Sequence, residues 1–167
     1  ARKLATLDQL CDGRLAVHLI AGGSDSDQAK DGDHIGKDER YRRTEEYAQI
    51  LKATWTADAP FDFSGQYYDI RRAYSSIRCI ASPRIRIYGG GGSDDAIRSL
   101  SPHIDTFMLW GEPLADTKAF MQRTREAAGQ NPITFSVSTR PILGQTEEEA
   151  WERARDILST IKKRVGE

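Results

Sequence analysis

Apolar positions along this chain alternate between two periods. Leu4, Leu7 and Leu10 recur at helical spacing, so Ala1–Cys11 reads as an amphipathic helix that Asp12-Gly13 stops. Leu15–Ala21 (LAVHLIA) is a short, mostly apolar run, as expected of a strand buried on both faces. Gly22–Asp38 is long, polar and rich in Gly, Ser and Asp. A loop of that kind directly after a buried strand is a candidate binding loop or lid. A helix is expected over about Glu39–Thr56, capped by Asp38 or a neighbour. Tyr41, Thr44, Ala48, Leu51 and Trp55 lie on its inner face. Pro60 ends any helix, and two aromatic runs flanking Ser64-Gly65 within Phe61–Arg71 read as a small hairpin. Arg72–Ser82 reads as irregular.

The second half repeats one theme. A β-type run, Arg84–Tyr88, empties through Gly89-Gly90-Gly91-Gly92 into Ser93 and a helical run, Asp94–Leu100. His103–Trp110 is another apolar strand, running straight into Gly111-Glu112-Pro113, with a helix at about Asp116–Ala128. Thr134–Leu143 is a further strand candidate, with Ser136, Ser138 and Arg140 on one face by alternation. Thr146 and Glu149 form a capping box for the last helix. Its apolar stripe is Ala150, Ala154, Ile157, Leu158 and Ile161, and it runs to about Arg164.

Strands alternating with helices predict an α/β fold of parallel βαβ units. Such sheets put function at the C-terminal ends of their strands. His18, the Gly22 loop, the glycine turn, Trp110-Gly111-Glu112 and Arg140 all fall at or near those ends. The glycine turn carries the clearest chemistry. Its glycines let backbone N–H groups come close, and a first helical turn leaves donors unpaired, so a phosphate fits; a flexible connection is the plain alternative. His18 is either a satisfied core residue or a polar group aimed into a pocket.

Composition narrows the classes. The 167 residues read as one domain spanning the whole chain, 1–167, and the net charge of −1 shows no footprint for nucleic acid. No apolar run approaches membrane-spanning length. The two cysteines, Cys11 and Cys79, fit no metal spacing and no disulfide framework, which suggests a reducing, cytoplasmic setting. The acidic Gly22–Asp38 stretch is not a calcium loop. Counted from Asp25, the third oxygen ligand falls on Ala29; counted from Asp31, it falls on Ile35 and the closing glutamate on Arg42. No metal is therefore expected. The chain opens at Ala1-Arg2-Lys3, without Met and already inside a helical pattern, as a piece of a longer protein would.

Six stretches together resemble the bacterial luciferase-like flavin monooxygenases, and within them the alkanesulfonate monooxygenase branch. These are Ala5–Gly23, Asp38–Tyr47 (DERYRRTEEY), Phe61–Ser76, Ile87–Ala96 (IYGGGGSDDA), Asp105–Pro113 (DTFMLWGEP) and Phe135–Ala154. The resemblance implies a (β/α)8 TIM-barrel type fold with the Phe61–Arg71 hairpin as an insertion. A whole barrel needs about 250 residues. The four strands here would then be the fourth to seventh, an incomplete barrel that is a fragment or pairs with another chain.

The resemblance also implies chemistry. Such enzymes take reduced FMN from a separate flavin reductase and use O2 to oxygenate a small organic substrate, an alkanesulfonate in the nearest branch. They commonly form homo-oligomers. Position by position, Gly90-Gly91-Gly92-Ser93 matches the phosphate-binding turn, and Tyr41 a tyrosine that reaches the flavin phosphate. Lys37 stands where the family often has histidine. Ala21-Gly22 and His18 match the strand end along the flavin ring, where His18 replaces a frequent Asn. Ser138 and Arg140 stand where sulfonate enzymes carry Arg and His near the reaction centre. Arg140 could hold an anionic substrate or a negatively charged flavin, or form a structural salt bridge. Arg140 and His18 are thus the catalytic candidates, and Trp110 and Ser138 the substrate-side ones. Two other readings stay open: a deazaflavin-dependent reductase on the same fold, and a non-catalytic half barrel.

Overall fold

The computed structural model describes residues 1–166 and divides into two compact units, Ala1–Val137 and Ser138–Glu167. In chain order the elements are α1 (Arg2–Leu10), β1 (Ala16–Leu19), α2 (Asp25–Lys30), α3 (Lys37–Thr56), β2 (Phe61–Ser64) and β3 (Asp69–Ala73). They continue with β4 (Arg86–Gly90), α4 (Asp94–Leu100), β5 (Thr106–Trp110), α5 (Leu114–Ala128), β6 (Thr134–Ser138) and α6 (Glu147–Val165). Four strands form one sheet in the order β1-β4-β5-β6, and β2 and β3 form the separate hairpin. The β1–β4 and β4–β5 pairs are parallel.

Register decides what each face carries. His18 lies opposite Tyr88, and Tyr88 opposite Thr106; Leu19 lies opposite Gly89, and Gly89 opposite Phe107. Residues in register share a face. One face therefore holds Leu19, Ile87, Gly89, Phe107 and Leu109, all buried in the core with Ile97, Leu100 and Ile104. A β-carbon on Gly89 would sit 3.0 Å from Ile104 and 3.3 Å from Leu100, so this is the helix-covered side. The other face carries Ala16, His18, Arg86, Tyr88, Gly90, Thr106, Met108 and Trp110 and, apart from the buried Thr106, is exposed or half-buried. LAVHLIA is accordingly buried on one face, not on two: Leu19 and Ala21 are enclosed while Ala16, His18 and Ile20 are exposed. A two-sided reading assumes that a cover lies on both faces, and within these residues helices cover only one.

The turn chemistry explains the breaks. Asp12 and Gly13 take positive φ of 55° and 71° and end α1. Within the polar stretch after β1, Ser24 caps a short helix that periodicity does not reveal, because α2 buries nothing. The next helix starts two residues earlier than expected, with Gly36 as N-cap and no side-chain cap, so Lys37 is its first residue. Of its predicted inner face, Tyr41, Ala48, Leu51 and Trp55 are buried and Thr44 partly so. The hairpin turn is clasped from α3. The Glu46 carboxylate accepts from the backbone N–H groups of Gln66 (2.7 Å), Tyr67 (3.0 Å) and Tyr68 (3.1 Å).

In the second unit, Thr146 caps α6 by accepting from the Glu149 N–H at 3.2 Å, and Glu149 in turn accepts from the Gln145 N–H at 2.6 Å. Its apolar stripe, including Ile157, Leu158 and Ile161, is about half exposed. Among the described residues no helix is long and apolar enough to cross a membrane.

Candidate functional site

The glycine turn follows from local rules. Gly90 closes β4, Ser93 takes an extended backbone, and its Oγ accepts from the Ala96 N–H at 3.2 Å to start α4. Tyr41 arrives from the start of the second turn of α3. A β-carbon on Gly91 would lie 2.6 Å from the Ala96 β-carbon and closer still to the Tyr41 hydroxyl, so only glycine admits this approach. Gly92, by contrast, has nothing within 4 Å of that position and opens the turn outward. Burial pushes the Tyr41 phenol above its ordinary pKa, against a Ser93 hydrogen bond and the Arg40 charge that pull it down. At neutral pH Tyr41 is therefore an O–H donor.

Lys37 lies one helical turn before Tyr41 and so on the same side of α3, and it is exposed. Two carboxylates follow the turn at once, Asp94 and Asp95. Each is paired with an arginine, Arg123 and Arg98 respectively, which offsets their charge. His18 projects on the open face, its Nε2 3.6 Å from where a Gly90 β-carbon would be. Trp110 ends β5 and is 65% exposed. Gly91, Gly92, Trp110, Glu112, Thr117 and Phe120 line one recess beside the turn. The first unit thus brings together the glycine turn, Tyr41 and Trp110, with His18 at the neighbouring strand end. Ala21 is buried just past β1, and Gly22 takes φ +89° with the Gln28 side chain over it.

Ser138 and Arg140 lie in the second unit. The expected strand Thr134–Leu143 stops at Ser138, so alternation no longer relates Arg140 to Ser136. Both Ser138 and Arg140 are exposed. Among the described residues no cluster of His, Cys, Asp or Glu could hold a metal.

Sequence reasoning missed Arg40, which is fully buried. A signal was present: positions 40, 44, 48 and 51 share one helical stripe, and an arginine within an apolar stripe has to be paired.

The fold is shared with several solved proteins. A riboflavin lyase solved with modified FMN and riboflavin superposes with a TM-score of 0.77 at 17% identity, over 95% of this chain and 41% of that one. An EDTA monooxygenase from Chelativorans sp. BNC1 gives 0.74 at 18% identity, over 97% and 46%. An F420-dependent secondary alcohol dehydrogenase in complex with an F420–acetone adduct gives 0.64 at 20%, over 81% and 42%. The chain spans less than half the length of each of these structures. At such identities the likeness shows the fold: α/β, of the TIM-barrel type, with a parallel sheet that makes up part of a barrel. The sequence model of the luciferase-like monooxygenases matches residues 1–165, nearly the whole chain, and the protein belongs to that family.

Proposed function

We propose that this chain carries the flavin-phosphate side of a two-component monooxygenase, which takes reduced FMN from a separate reductase and uses O2 to oxygenate a small organic substrate. The observation that carries the reading is the Tyr41 hydroxyl set against Gly91 at the mouth of β4. The turn suits a phosphate on its own terms. Gly92 leaves the approach open, Ser93 and Tyr41 offer hydroxyls, Lys37 supplies a cation from the same side of α3, and the adjacent carboxylates are already paired.

Oxygen activation is the chemistry that reduced FMN supplies when bound. The work of the protein is to hold, orient and exclude water. Gly91, Gly92, Ser93, Tyr41 and Lys37 bind the phosphate. Ala21, Gly22 and His18 line the ring side at the end of β1. Trp110 faces the substrate. Ser138 and Arg140 take the substrate side by resemblance, with Arg140 as the anion holder; an alkanesulfonate is the substrate class that the resembling branch suggests. A homo-oligomer and a cytoplasmic setting complete the proposal.

Titration of reduced FMN and reduced riboflavin against intrinsic tryptophan fluorescence tests it. Micromolar quenching by FMN is expected, with riboflavin weaker by about tenfold or more because it lacks the phosphate. Equal binding of the two, or binding of neither, refutes the reading. A second reading, hydride transfer with a deazaflavin, draws on the F420-dependent dehydrogenase among the similar structures. It predicts that a deazaflavin binds more tightly than FMN in the same titration.

A further inference from the structure

Arg40 sits one residue before Tyr41, yet it serves another structure. Its Nε donates to the Ala21 carbonyl at 2.8 Å and its Nη1 to the Ile35 carbonyl at 2.7 Å. The Asp25 carboxylate lies 2.8 Å from the same Nη1. The side chain is fully buried, and among the described residues Nη2 is enclosed without a partner. A buried guanidinium with one arm unsatisfied is costly, and its place has to be explained by what the other arms hold.

Those arms hold one segment at three points. Ala21 is where the chain leaves β1, Asp25 opens α2, and Ile35 precedes Gly36, the N-cap of α3. One turn further along α3, Arg43 pairs with Asp33 of the same segment. Gly22–Gly36 is polar, and none of its residues is buried, so apolar packing of its own does not place it. The contacts that do place it converge on two arginines of α3, and the buried one spans both ends.

We propose that Arg40 is a positioning residue that straps segment 22–36 to α3 and so sets where Ala21-Gly22 stand relative to Tyr41. The geometry needs no ligand. The consequence for the cofactor rests on the flavin reading above: the ring-side end of β1 and the phosphate tyrosine are held at one spacing by a single guanidinium.

Amide hydrogen exchange and flavin titration on the full chain test this with R40K. A lysine keeps the charge but cannot span two carbonyls and a carboxylate. Exchange across 22–36 should rise by about tenfold or more while α5 is unchanged, and the FMN dissociation constant should rise by about tenfold. Unchanged exchange across 22–36, or an equal rise in α5, overturns the positioning role. A looser segment with wild-type FMN affinity overturns the cofactor consequence. Should R40K not fold, D25N removes one anchor and leaves the guanidinium. Faster exchange confined to residues 23–31 is then expected, and no change overturns the proposal. If the wild-type chain binds no FMN, the flavin reading fails by itself, and the exchange comparison still decides the role of Arg40.

Discussion

The Tyr41 hydroxyl occupies the space that a β-carbon on Gly91 would need. An aromatic residue from one helix and a glycine at the end of one strand are thus fitted to each other across the turn between β4 and α4. The contact joins two parts of the chain that sequence places far apart.

Gly91→Ala should therefore be costly in two ways. The new methyl meets Tyr41 and the Ala96 β-carbon at 2.6 Å, and neither is the far end of a flexible chain. A loss of about 1–3 kcal/mol is expected from urea unfolding, together with loss of FMN binding. Adding Tyr41→Phe should not restore either property, since the Ala96 contact stays.

Phosphate recognition can be separated from ring recognition. Tyr41→Phe removes an O–H donor and Lys37→Ala a cation, with little change of packing. Each should weaken FMN by about three- to tenfold and leave riboflavin unchanged. The Lys37 effect should shrink as salt is raised, because that side chain is exposed. An equal loss for both flavins would argue against a phosphate role.

Glu46 is a structural counterpart to the site. Its carboxylate gathers three backbone N–H groups of the β2–β3 turn, and a β-carbon on Gly65 would strike it. Glu46→Ala should cost about 1–3 kcal/mol, tempered by partial exposure, and speed proteolysis within Ser64–Tyr68. FMN affinity measured on the folded fraction should not change.

Stability should fall in acid through Asp105. Burial raises its carboxyl, but two hydrogen bonds from Arg84 at 2.8 Å, one from the Ile87 N–H at 2.7 Å and the neighbouring charges more than offset this, and the net pKa lies below the ordinary value. A carboxyl lowered in the folded state stabilises fully above its unfolded pKa of about 3.9 and loses that contribution as pH falls through the folded value. Urea midpoints measured downward from pH 5 should therefore drop more steeply for the wild type than for Asp105→Asn. His103 adds a second slope higher up. Burial, together with the Lys52 charge, lowers its pKa by more than Glu45 raises it, so its contribution is complete above about 6.5 and declines below. His103→Gln should flatten the curve between pH 7 and 5.

Much of this protein was legible from residue order because the deciding forces are local. Alternating periods marked the strands and most helices. Ser93 and Thr146 cap their helices through bonds three residues long, as their positions predict. The run of glycines between strand and helix marked the turn. Local rules were weaker where packing did not enforce them: α2 buries nothing and has no stripe to read, and β6 ends at Ser138 although its polar alternation runs on to Arg140.

Tertiary structure alone decided the rest. Periodicity puts Arg40 on an apolar stripe, but only the folded chain brings Ala21, Asp25 and Ile35 around it. The Arg84–Asp105 pair, the Glu46 clasp and the fit of Tyr41 to Gly91 likewise join residues remote in sequence. A sequence states which residues can form helix, strand or turn, since those choices depend on neighbours a few positions away. Which polar groups meet depends on strand register and on which face the helices cover, and both are set by burial summed over the whole sheet.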